Sequence, residues 1–74
     1  MDGPTQALQA TTRWATSIYE QLDENHTALI QLAQFADSRA QHGVHDRLQS
    51  IAFRVKAAMS ELHQTVQTIE RQIR

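Results

Sequence analysis

The side chains best suited to proton transfer or metal binding near neutral pH are four histidines, His26, His42, His45 and His63; the chain has no cysteine. His42 and His45 flank Gly43 with Asp46 adjacent, a grouping of two imidazoles and a carboxylate that could hold a transition metal loosely. No further histidine or thiolate accompanies them, so a polar surface turn is the simpler assignment. Glu24 precedes His26 by two residues and Glu61 precedes His63 by two, whereas the di-metal motif Glu-x-x-His needs three. Ser17, Ser38, Ser50 and Ser60 lie in helix-forming sequence without the glycine-rich elbow that exposes a nucleophile. Glycines at 3 and 43 alone cannot build a phosphate loop or a dinucleotide fingerprint. The expectation is a protein that is not an enzyme, with no cofactor, no metal and no small-molecule substrate.

Long helices must position these residues. Gly3 and Pro4 open the chain and Gly43 lies near its middle; nothing between Thr5 and Gln41, or between Val44 and Arg74, breaks a helix. Thr5 is a candidate cap for the first helix, or Pro4 enters its first turn if capping begins at Asp2 or Gly3. Gln41-His42-Gly43 offers a glycine for a left-handed helix end, and Asp46 with Gln49 forms a capping pair for the next helix. A short connection folds the two antiparallel, so that His63 comes level with Leu22, near Asp23 and His26. The expected fold is all-α, one domain over residues 1–74: an antiparallel helical hairpin joined near Gly43 that closes as a four-helix bundle by dimerisation. The weakest helical stretch, Asp23-Glu24-Asn25-His26-Thr27, would give a three-helix bundle if it broke.

A coiled-coil-like heptad seam runs through Leu8, Thr11, Ala15, Ile18, Leu22, Asn25, Leu29, Leu32 and Ala36. In the second helix Leu48, Val55, Leu62 and Ile69 recur every seven residues. Ile51, Ala58 and Thr65 flank them on one side, and Ala52, Met59, Val66 and Ile73 on the other. A stripe this wide suits a helix with two neighbours. Trp14, Tyr19, Ile30, Ala33 and Phe35 fall mostly beside the first seam and call for cover from another helix. The interface candidates are therefore Trp14, Ile18, Leu22, Asn25, Leu29, Leu32 and Phe35 on the first helix, with Leu48, Val55, Met59, Leu62, Val66 and Ile69 on the second. Asn25, an amide in an aliphatic seam, either sets register and oligomer state or lies exposed where the seam rotates. Trp14 is either an anchor for a partner or the cover over one end of a small bundle.

Size and charge select the partner. A chain of 74 residues without disulfides and with 5% aromatic residues has a thin core, which a second chain remedies. Residues 1–37 hold one base, Arg13, against Asp2, Glu20, Asp23, Glu24 and Asp37, leaving −4; residues 38–74 hold six bases against three acids, leaving +3, which together give the net −1. Arms of opposite sign favour packing on each other, within one hairpin or between two, and disfavour assemblies that put like arms together. The overall balance lacks the basic excess that binding to a nucleic-acid backbone uses. The main alternative is nonetheless a small nucleic-acid-binding regulator using Arg47, Arg54 and Lys56. No apolar run spans a membrane, and Met1-Asp2-Gly3-Pro4 carries neither a basic leader nor an apolar segment, so a cytoplasmic setting is expected.

In outline, two long helices about a short turn, the chain resembles the needle subunits and needle co-chaperones of bacterial type III secretion and the dimeric repressor-of-primer hairpin. The needle-type turn carries prolines where this one reads Gln41-His42-Gly43-Val44. Trp14-Ala15-Thr16 lies far from the bend at which WxG secreted hairpins place their Trp and Gly. The resemblance implies a hairpin and no particular residue roles. The expected function is a protein-binding module working through helix–helix packing, an adaptor, co-chaperone or small inhibitor, as a homodimer with a second protein as partner.

Overall fold

The computed structural model describes residues 3–73 and places them in two helices, α1 (Gly3–Ser38) and α2 (His42–Ile73), folded back as a hairpin. A helix of 36 residues is roughly 54 Å long, and the whole molecule is a rod of 60 × 14 × 11 Å, so the two lie side by side along their full length. Asp2 and Arg74 fall outside the described residues, as does the side chain of Ile73.

α1 is continuous through Asp23–Thr27, so the three-helix alternative does not apply. Leu22, His26 and Leu29 carry the buried spacing across that stretch, and packing overrides its weak propensity. The helix starts at Gly3, earlier than a Thr5 cap would allow; Pro4 sits in the first turn, where its missing N–H costs nothing.

The connection differs from the one expected. The Gln41 amide donates to the Ala36 carbonyl at 2.9 Å and the Ala40 amide to the Asp37 carbonyl at 3.0 Å, the paired bonds of a Schellman helix end. Its left-handed residue is Ala40, with φ of 59°, and Gly43 takes no positive φ. Because the turn closes on Ala40, α2 starts at His42: the His45 amide donates to the Gln41 carbonyl at 2.9 Å, and Asp46 lies inside the helix instead of capping it.

The helices meet along heptad-spaced lines. α1 contributes Leu8, Thr12, Ala15, Tyr19, Leu22, His26, Leu29, Ala33 and Ala36, and α2 contributes His45, Leu48, Ala52, Val55, Met59, Leu62, Val66 and Ile69. The α1 seam is thus turned by one residue from the expected one on alternate positions. Thr12, Tyr19, His26 and Ala33 replace Thr11, Ile18, Asn25 and Leu32, which are exposed. Small side chains explain the choice: Ala33, Ala36 and Ala52 are almost wholly covered, and their lack of bulk lets the backbones approach. Among the described residues Met59 is the one large side chain that is fully buried, so the hairpin's own core is thin.

Candidate interaction face

A hairpin of two helices has two broad faces, one on either side of the seam. On one face α1 presents Thr11, Ile18, Asn25 and Leu32 along the edge of the seam, with Trp14, Ala28 and Phe35 on the next line out. In an antiparallel pair the corresponding edge of α2 turns to the same side, bringing Val44, Ile51, Ala58 and Thr65 there. Two shallow recesses confirm the side. Asn25, Ala28, Leu29 and Leu32 line one with Val55, about 390 Å³ in volume, and Thr11, Trp14, Ala15 and Ile18 line another with Leu62. Trp14, Ile18, Leu32, Phe35, Val44 and Ile51 are between 40% and 74% exposed. Six large apolar side chains open to water on one side of a chain this small make one continuous exposed apolar face.

The opposite face is polar. There α1 presents Gln9, Thr16, Asp23 and Asp37, and α2 presents Gln49, Lys56, His63 and Glu70; half-buried Ile30 and, on the next line out of α2, exposed Phe53 are the apolar exceptions. His63 lies against the Tyr19 ring, centroids 6.1 Å apart and tilted by 49°.

Of the interface candidates, Trp14, Ile18, Asn25, Leu32 and Phe35 lie on the open apolar side. Leu22, Leu29, Leu48, Val55, Leu62, Val66 and Ile69 are half-buried in the seam, and Met59 is enclosed within the hairpin. Asn25 is therefore not a seam residue of the hairpin; its amide is exposed beside Ala28 and Leu32. The sequence reading did not single out Val44, although its spacing of seven residues from Ile51 was available as a signal. Phe53, 75% exposed, stands apart on the back of α2.

The histidines do not converge. His42 Nδ1 lies 3.3 Å from an Asp37 carboxylate oxygen, tying the start of α2 to the end of α1, and His45 Nδ1 lies 3.2 Å from Asp46. Asp23, His26 and His63 do not gather, and among the described residues no group of three or more His, Asp or Glu side chains is placed to hold a metal ion. Ser38 donates to the Phe35 carbonyl at 2.6 Å within the last turn of α1. Arg47 and Arg54 share a recess with Ser50 and Ile51, whereas Lys56 belongs to the polar face, so the three cations do not form one patch. Among the described residues no helix is long and apolar enough to cross a membrane. No family model matches the chain, and no curated protein or solved structure matches it either.

Proposed function

We propose that the chain is a protein-binding module, without catalytic activity, that works through helix packing: two hairpins close on each other by their apolar faces, and the assembled bundle engages a second protein as an adaptor, co-chaperone or inhibitor. One observation carries the reading. The most apolar pair of lines on α1 is not the pair buried in the hairpin. It combines Leu8, Leu22 and Leu29 of the seam with Ile18 and Leu32 of the open edge, and the α2 seam line through Leu48, Val55, Leu62 and Ile69 is likewise flanked on the open side by Val44 and Ile51. These lines point diagonally, between the neighbouring helix and the open side, which is the direction of the centre of a four-helix bundle. The lines actually buried opposite them include Thr12, Tyr19 and His26, side chains that suit the edge of a core. With dimerisation the open apolar face becomes interior, and Phe53 on the back of α2 remains outside as an anchor for the second protein.

Light scattering across the micromolar range tests the dimer: the expected mass is twice that of the chain, with a melting temperature that rises with concentration. A constant single-chain mass overturns the reading. Tight, salt-sensitive retention of a nucleic acid in a gel-shift titration would displace it in favour of a regulator working through Arg47 and Arg54. A cytoplasmic site of action belongs to the same proposal and is tested by cell fractionation.

A further inference from the structure

We infer that the second copy docks about a two-fold axis crossing the rod at its middle, between the two copies of Asn25 and between the two copies of Ala58. α1 then packs antiparallel on the partner's α1, and α2 on the partner's α2. This rests on the proposed dimer and specifies which surfaces meet within it.

The spacing on α1 is symmetric about Asn25. Ile18 and Leu32 stand seven residues before and after it, and Trp14 and Phe35 eleven before and ten after. Rotation about an axis at Asn25 sets Ile18 on the partner's Leu32 and brings Trp14 to the partner's Phe35, whose ring carries the Arg39 guanidinium 5.1 Å from its centre, an aromatic and cationic cluster at each end of the interface. The Asn25 amide, both donor and acceptor, meets its own copy at the centre, where an amide pair fixes register.

α2 repeats the symmetry with charge. The contact of Tyr19 with His63 and the recess shared by Asn25 and Val55 set the hairpin register so that Ala58 is the open-edge residue of α2 nearest the level of Asn25. Arg54 and Glu61 stand four residues before and three after Ala58, on one line at the outer edge of the apolar face. The same rotation brings each Arg54 to the partner's Glu61, twice per dimer. An axis running along the rod would instead set Arg54 on the partner's Ala28 and Glu61 on the partner's Gln21, pairing neither charge.

Packing volume favours the crossing axis too. An axis along the rod stacks Leu32 and Ile51 with their copies in one layer and Ile18 and Thr65 with theirs in another, one overfilled and one thin. The crossing axis gives both layers the same four side chains, as even packing requires. The net −4 of the first arm does not oppose this, because no charged residue lies on the two open-side lines of α1 between Thr11 and Phe35. An axis at Asn25 overlaps residues 12–38 of α1 with their copies, roughly 40 Å of the rod, which at a width of 14 Å offers about 600 Å² per partner, the lower end of the range for specific interfaces.

The chain has no cysteine of its own, so single-cysteine reporters test the arrangement directly. Under mild oxidation Asn25→Cys and Ala58→Cys should each link to itself, and a mixture of the two should give no 25–58 product. A dominant 25–58 product, or no link at any of these positions in a protein of dimer mass, overturns the crossing axis while leaving the dimer intact. A single-chain mass by light scattering overturns the dimer itself. Charge exchange gives a second reading. Arg54→Glu alone should raise the dimer dissociation constant roughly tenfold, and adding Glu61→Arg in the same chain should restore it to within about threefold. Additive losses in the double variant overturn the pairing.

Discussion

The two broad faces of this hairpin are made by the same two helices, each about a quarter turn from the seam, yet one carries Trp14, Ile18, Leu32, Phe35, Val44 and Ile51 in the open and the other Asp23, Asp37, Lys56, His63 and Glu70. A pair of helices has to bury only one stripe each to hold together; here the buried stripe is backed on one side by polar residues and on the other by more apolar ones. The asymmetry separates residues that hold the hairpin from residues that await a neighbour. The hairpin's own enclosed core, four alanines and Met59, is small against the conformational entropy of ordering about seventy residues.

Charging the two faces gives the sharpest contrast. Ile18→Glu with Leu32→Glu should abolish the cooperative melting transition at micromolar concentration, followed by circular dichroism, because the face can no longer be covered. Gln9→Glu with Thr16→Glu on the polar face should change stability by no more than about 0.5 kcal/mol per site. Equal tolerance of the two pairs would erase the distinction. Next in size, Met59→Ala should cost about 2–5 kcal/mol in chemical denaturation, as for any enclosed methionine, and Gln67→Ala within about 0.5 kcal/mol. Leu62→Ala sharpens the comparison, since Leu62 borders the open recess. A loss matching that of Met59→Ala means a second layer covers it, and about half that loss means the face stays wet. Thr12→Val should stabilise by about 1–2 kcal/mol, because the Thr12 hydroxyl is buried without a hydrogen-bond partner and the apolar isostere removes its desolvation cost. Smallest, Ala40→Gly should add about 1 kcal/mol by relieving the left-handed backbone of a residue with a Cβ. It lies at the turn, outside both faces, so the dimer dissociation constant should not follow.

Helix number, hairpin topology and heptad spacing were legible because they follow from the positions of breakers and apolar residues. Rotation was not. The stripe on each helix is three lines wide, and any two adjacent lines make an acceptable seam. The line through Ile18, Asn25 and Leu32 is the more apolar choice, and the line through Thr12, Tyr19, His26 and Ala33 is the one a lone hairpin buries. Hydrophobicity alone therefore pointed to the open edge of α1, while closeness of approach, set by Ala33, Ala36 and Ala52, decided which lines pair within the hairpin. The turn was misplaced for a different reason. Gly43 is the better left-handed residue, but the Ala36 and Asp37 carbonyls are capped three residues earlier, and nothing in the type of residue 40 announces it. Among the candidate residues, spacing found the open-side aromatics. The fate of Asn25 depended on the rotation and went with it.

The rod shape has a consequence for friction in solution. The radius of gyration is 16.9 Å, against about 11 Å for a compact chain of this length, so a single hairpin tumbles and diffuses like a much heavier sphere. Two such rods laid side by side grow in girth without growing in length, and the pair is rounder than either alone. Association by these faces would double the mass while the radius of gyration stayed within about 1 Å of that of one hairpin, so X-ray scattering would report it in forward intensity and hardly at all in size.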